Sequence, residues 1–329
     1  MSFNSELMKK LSKCISPSGR EDSIREIISN EIKEYVDDIK VDALGNLIAH
    51  KKGNGKKIMF AAHMDQIGMI ITFIDDKGFL RFSNVGGLNP YVLLGQRVIF
   101  SNGIEGIISS EKLEKYSDLK LNKLYIDIGV LNKEEAEEKV KIGDICVFKT
   151  EYYENDNFVM CKASDDRIGC YLLIEAIKQQ VSSDYDIYYV FTVQEELEIA
   201  GAKTSSYSID PDIAIAIDVT RSGDTPNGIK MAIKLGNGTA IKIKDSLLIT
   251  KPEIVEMLTN LAEKNSINYQ YEILEHGGTD SGVIQLTKSG VPCGVISIPT
   301  RYIHTGNELI NKNDVIESLK LIISIIEEK

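Results

Sequence analysis

The stretch "VFTVQEELEIAGA", Val190 to Ala202, sets a β-branched and aromatic run directly against two adjacent glutamates, Glu195 and Glu196. The run reads as a buried strand. A strand that ends in two like charges has either reached water or arrived where two carboxylates have different tasks. The flanking segments decide which fold holds it. Just upstream, "DDRIGCYLLIEAIKQQV" carries the apolar spacing of an amphipathic helix and "YDIYYVFTV" is a strand. Downstream come the strand "DIAIAIDV", the helix "KPEIVEMLTNLAEKN", a helix over "TDSGVIQLTKSG" stopped by Gly290, the strand "CGVISIP" and a closing helix "NKNDVIESLKLIISIIEE". Alternation of this kind predicts an α/β sheet covered on both faces.

Toward the N-terminus, two helical segments, "NSELMKKLSKCI" and "SIREIISNEIKEYV", are separated by the breaker "SPSGRED". Short strands follow in "KVDALGNLIAHK" and "KIMFAAH". From Ile70 to about Met160 the texture changes to short runs with Gly, Asn or Asp turns, such as "GQRVIFSNGIEGIISS", broken by one short helix, "NKEEAEEKV". The first strand of the sheet precedes this β module, so the module reads as an insertion. The division is residues 1–66 with 162–329 for the α/β domain, and 67–161 for the inserted β domain.

The chain of 329 residues holds 38 basic and 49 acidic side chains, a net charge of −11. That balance disfavours nucleic acid and anionic membranes as partners. Apolar runs such as "IAIAIDV" are too short to span a bilayer. The N-terminus lacks the apolar core of a signal peptide, which predicts a cytoplasmic protein. Five cysteines, an odd number with no C-x-x-C pair, read as reduced thiols.

In an open α/β sheet, ligands collect beyond the carboxyl ends of the strands. Those ends carry His63 and Asp65, Glu195 and Glu196, Asp218, and, after "GVISIPTRYIH", His304; Asp165 and Asp166 open a helix beside them. Taken singly, each has an ordinary reading: an acid pair before a helix is commonly a cap, and two glutamates after a strand are usually a solvated turn. Together they gather two of the four histidines and several carboxylates on one edge. Unpaired, the carboxylates would repel, and a divalent cation resolves that. Histidine and carboxylate without thiolate suit zinc, cobalt or manganese. A bridging carboxylate would allow two ions about 3.5–4 Å apart, and one of two adjacent glutamates could ligate while the other stays free as a general base.

At these residues the sequence resembles the M forty-two family of metallo-aminopeptidases, which includes the glutamyl and the tetrahedral aminopeptidases. The matching pieces are "AAHMDQIGMI", "KASDDRIGCYLLIEAI", "VFTVQEELEIAGA", "AIDVTRSGDTP", "KLGNGTAIKIKDS" and "GGTDSGVIQLTKSGVPCGVISIPTRYIHT", spread over nearly the whole chain. The resemblance implies a mixed-sheet zinc-aminopeptidase domain (phosphorylase/hydrolase-like), interrupted by a PDZ-like β domain used in dimerisation. It implies two divalent ions per subunit, one on His63, Asp165 and Asp218 and the other on Asp165, Glu196 and His304, with Asp165 bridging. Glu195 matches the general base that carries a proton from water to the leaving amine, and Asp65 the acid that orients His63. Gly278, Thr279 and Asp280, in "GGTD", resemble a substrate loop. Peptides would be the substrates, and self-association would run from a dimer to a twelve-subunit shell.

Three departures stand out. Gln66 occupies a position usually held by Glu, Leu197–Ala200 replace a glycine-containing segment, and His276 precedes the "GGTD" loop, where it reads as structural. Two other readings compete with the peptidase. A glycoside hydrolase would need paired carboxylates without metal and, usually, aromatic platforms, but the chain has no tryptophan. A non-catalytic scaffold assembling through the β module is opposed by the intact Glu195.

Overall fold

The computed structural model describes residues 1–328. Four parallel strands form its centre, in the order β12 (Asp186–Thr192), β3 (Lys57–His63), β13 (Ile213–Arg221) and β16 (Cys293–Arg301), numbering strands along the chain. These are the near-continuous apolar runs that burial on both faces demands. Along β3 the side chains alternate between two cores. Ile58, Phe60 and Ala62 pack with the helices Ser5–Lys13, Asp22–Ile32, Ser164–Lys178 and Lys312–Ile326, whereas Met59 and Ala61 pack with the helix Ala200–Ile209 and with Ile284.

Antiparallel strands extend the sheet at both sides. β1 (Asp38–Val41) and β2 (Leu47–Lys51) form a hairpin on β12, and β17 (Glu308–Asn311) pairs with β16. β14 (Thr239–Lys244) is antiparallel to β16 and parallel to β15 (Tyr269–Ile273). The sheet has eleven strands and mixed direction.

Between β3 and the helix Ser164–Lys178 the chain builds a separate closed barrel of six antiparallel strands. These are β4 (Gly68–Ile74), β5 (Leu80–Val85), β6 (Arg97–Phe100), β7 (Glu105–Ser110), β8 (Leu124–Asp127) and β9 (Ile145–Phe148). Its own core includes Met69, Ile71, Phe82, Val98, Phe100 and Ile126. Closing the sheet removes the exposed edges that an isolated β module would carry. The chain re-enters the large sheet at β10 (Tyr153–Glu154) and β11 (Phe158–Cys161), the latter paired with β17.

Some expectations are corrected. The helix read over "TDSGVIQLTKSG" is only Ser281–Ile284, followed by turns with Lys288 and Gly290 at positive φ. The helix Ala200–Ile209 and the strands β14, β15 and β17 are additional to the elements read from sequence, although the apolar–polar alternation of residues 241–244 and of Tyr269–Ile273 is a strand signal. All five cysteines are free, and among the described residues no helix is long and apolar enough to cross a membrane.

Candidate metal centre

Because the four central strands are parallel, their carboxyl ends lie on one edge, and each delivers polar side chains there. β3 ends at His63, directly beside Thr192 in register. β12 runs into a turn holding Glu195 and Glu196, β13 contributes Asp218 near its end, and β16 is followed by His304. Asp165 and Asp166 open the helix Ser164–Lys178, joined by a cis peptide bond.

Asp165 is the hub of the cluster. Its Oδ1 lies 3.0 Å from His63 Nε2 and its Oδ2 lies 3.3 Å from His304 Nε2, so its two oxygens face two different imidazoles. His304 Nε2 is also 3.3 Å from Glu196 Oε2, and His63 Nε2 is 4.0 Å from Asp218 Oδ1. Glu195 approaches only to 3.9 Å of His63, with 13% of its side chain exposed. It is the acid of this group least engaged by protein.

Asp166 faces elsewhere. Its oxygens accept from the backbone N–H of His63 at 3.2 Å and of Gly169 at 3.0 Å, which ties the helix start to the strand end. Both oxygens are thereby engaged by backbone, and Asp166 also offers a ligand atom within 4.8 Å of those of His63 and Asp218. Asp65 is fully buried and lies 3.3 Å from His63 Nδ1. It also accepts from the Ser18 hydroxyl at 2.7 Å and from the backbone N–H groups of Glu195 and Glu196 at 3.1 and 3.3 Å. One buried carboxylate thus stands beside the imidazole and pins the glutamate turn.

Electrostatics follow from burying many acids beside two imidazoles. Burial opposes charge on His63, yet the Asp165 and Asp65 carboxylates outweigh it and hold the imidazole well above its ordinary value. His304 is lifted to about 11 by Asp165 and Glu196, against the same burial penalty. Asp165 is held well below the usual carboxylate range by the two histidines despite its burial. Glu195 and Asp218 are pushed well above that range, first by burial and then by neighbouring negative charge.

The donor set fits divalent cations. Asp165, Glu196, Asp218, His63 and His304 supply hard oxygens and imidazole nitrogens with no thiolate among them. Glu196 Oε1 is buried without a hydrogen-bond partner, a costly state that a cation would relieve. His63, Asp165 and Glu196 each offer a ligand atom within 4.8 Å of the others.

A cavity of about 320 Å³ opens onto the cluster and is lined by Asp165, Glu195, Glu196, Asp218 and His304. Of the three candidate substrate residues, Gly278 lines this cavity. Thr279 and Asp280 are buried behind it, Asp280 accepting from the Thr192 hydroxyl at 2.6 Å. His276, read as structural, lines the cavity and is exposed. Glu308 was not foreseen. It is buried and accepts from the backbone N–H groups of Asp165 and His304, both at 2.9 Å, and burial raises its carboxyl to about 8. Nothing in its spacing marks it; its only hint is an acid four residues after His304.

The family described as M42 glutamyl aminopeptidase matches residues 45–321. A putative aminopeptidase of Acetivibrio thermocellus is 52% identical over 98% of both chains. An aminopeptidase structure from the archaeon Desulfurococcus kamchatkensis superposes with a TM-score of 0.95 at 41% identity, covering 99% of this chain and 94% of that one. The TET1 peptidase of Pyrococcus horikoshii, which can assemble into a tetrahedron or a large octahedral shell, gives 0.89 at 37% identity, with 98% and 99% covered. With a histidine and carboxylate centre at the sheet edge and a match over most of its length, the chain belongs to the M42 glutamyl aminopeptidase family, an enzyme family of metal-dependent aminopeptidases.

Proposed function

We propose that this protein removes N-terminal residues from peptides at a two-ion centre, with His63, Asp165 and Asp218 holding one ion and Asp165, Glu196 and His304 the other. The observation that carries the reading is Asp165, whose two oxygens face the two imidazoles while Glu195 stands uncommitted in the same cavity. Zinc or cobalt suits these ligands best, and manganese is also accepted by such a set. Bound ions supply Lewis-acid polarisation of the peptide carbonyl and lower the pKa of water.

The remaining work falls to the protein. Glu195, whose burial raises its proton affinity, would as the carboxylate accept a proton from the attacking water and return it to the leaving amine. Asp65 holds the imidazole of His63 in place and fixes the turn that aims Glu195. The acidic cavity attracts the substrate's α-ammonium group, which limits cleavage to the first residue of a peptide. Gly278 shapes the cavity wall, with Thr279 and Asp280 supporting it from behind.

Self-association, from a dimer up to a twelve-subunit shell, is supported by the likeness to a shell-forming peptidase. In this reading the barrel serves as a PDZ-like dimerisation domain, and the protein acts in the cytoplasm. Chelation tests the chemistry. Incubation with EDTA should abolish release of nitroaniline from an aminoacyl-nitroanilide, and zinc or cobalt should restore it. Hydrolysis that survives complete removal of metal overturns the proposal.

A further inference from the structure

A second cavity adjoins the metal centre. It measures about 580 Å³ and continues from the first past His304 and Ile303, with the barrel segment Gly87–Asn89 on one side and Ser222, Thr225 and Ile229 on the other. The first cavity takes in the acidic cluster and ends against Ile199, Leu247 and Leu274. The second holds none of the four clustered carboxylates Asp165, Glu195, Glu196 and Asp218.

Arg221, at the end of β13, lines both cavities and is exposed at their junction. Its side chain makes no hydrogen bond or ion pair to any described residue, in contrast to its neighbour Arg301. The Arg301 guanidinium, which also lines the second cavity, is engaged twice by Asp224, at 3.0 and 2.6 Å. Among the described residues, Arg221 is therefore the uncommitted cation at the passage between the two cavities.

Resting on the reading of the site as an aminopeptidase, we infer that the larger cavity receives the part of the substrate beyond the scissile bond, and that Arg221 pairs there with a substrate carboxylate. The placement follows from the geometry. The α-ammonium end belongs at the acidic cluster and its side chain in the smaller cavity, leaving the junction as the route by which the rest of the peptide departs. A guanidinium offers a planar fork of donors matched to a carboxylate, and an uncommitted one at a junction otherwise formed by Gly87, Ile303 and His304 meets no competing acid there. The carboxylate can come from the C-terminus of a short peptide or from an acidic side chain just after the cleaved bond.

Matched tripeptides distinguish the sources. Leu-Gly-Gly is compared with its C-terminal amide, and Leu-Asp-Gly amide with Leu-Asn-Gly amide, using metal-loaded wild type, Arg221→Gln and Arg221→Lys. A charge-assisted hydrogen bond of ordinary strength predicts that kcat/KM favours the carboxylate-bearing member of at least one pair by about tenfold. Arg221→Gln should bring that ratio close to one, and Arg221→Lys should recover part of it. The pair that responds identifies the source. Wild-type ratios near one in both pairs, or a ratio left intact by Arg221→Gln, overturn the inference. Loss of all four activities in wild type would instead strike the aminopeptidase reading itself, so the two failures are separable.

Discussion

Lys162 shows how one residue reports on its surroundings. It sits just before the helix that carries Asp165, and its ammonium is buried, donating to Gln66 Oε1 at 2.9 Å and to the Cys14 carbonyl at 3.2 Å. Burial, with the charge of Arg167 adding, lowers its pKa to about 7. The departure at Gln66 is therefore local electrostatics as well as a missing acid: a neutral amide meets the lysine. The sign of the linkage follows from the lowered value. Between pH 7 and 10.5 the unfolded chain holds this proton and the folded protein does not, so the group's contribution to stability rises with pH. Urea melts of metal-loaded wild type and Lys162→Met, taken from pH 7 to about 8.5, should show the difference shifting in favour of wild type as pH rises. A difference independent of pH contradicts the assignment. The sequence displayed His63, Asp165, Glu195, Glu196, Asp218 and His304 because imidazoles and acids at strand ends stand out. Glu308 and the backbone role of Asp166 were illegible, since an acid that binds N–H groups looks like any other acid.

At the scale of elements, the turn after β12 depends on pieces that look unrelated in sequence. Asn46, between β1 and β2, is fully buried. It accepts from Val193 N–H and donates to the Gly201 carbonyl, each at 3.0 Å. Glu21, in the breaker "SPSGRED", accepts from Gln194 N–H at 3.1 Å, and Ser18 of the same segment holds Asp65. These contacts fix Glu195 from both sides. They let Glu198 and Ile199 stay at φ of 61° and 57°, a region that costs non-glycine residues energy. A methyl group at Gly201 would strike the Val193 carbonyl and the Asn46 amide oxygen. Gly201→Ala should lower unfolding stability by about 1–3 kcal/mol and reduce kcat with it, as checked by thermal melts and nitroanilide turnover. A variant as stable and active as wild type would show that the turn is not held in this way. Strand–helix alternation was legible because packing on two faces imposes a period; this clamp was not, because its contacts join residues some 150 positions apart.

Across the whole molecule, the inserted barrel takes part in the centre. At the end of β5, Gly86 and Gly87 approach the cluster so closely that an added Cβ would lie 2.8 Å from Glu196 Oε2 and 2.7 Å from His304 Nδ1. Glycines after a strand mark a turn in sequence, but the approach of Gly86 and Gly87 to Glu196 and His304 depends on how the two domains face each other. Gly87→Ala should displace His304 and weaken metal retention while leaving the fold intact. Equilibrium dialysis against a graded zinc chelator, paired with far-UV circular dichroism, checks this; unchanged affinity would show that the barrel does not constrain His304. The same facing surfaces build the wall of the second cavity.

The proposed chemistry turns on Glu195 as the proton carrier beside a metal centre held by its neighbours. The most direct test is turnover of an aminoacyl-nitroanilide by metal-loaded Glu195→Gln, with bound metal measured on the same sample. General acid–base catalysis predicts a fall in kcat of about 10²–10⁴ with metal content unchanged. Turnover at the wild-type rate in the metal-loaded variant would show that another group carries the proton.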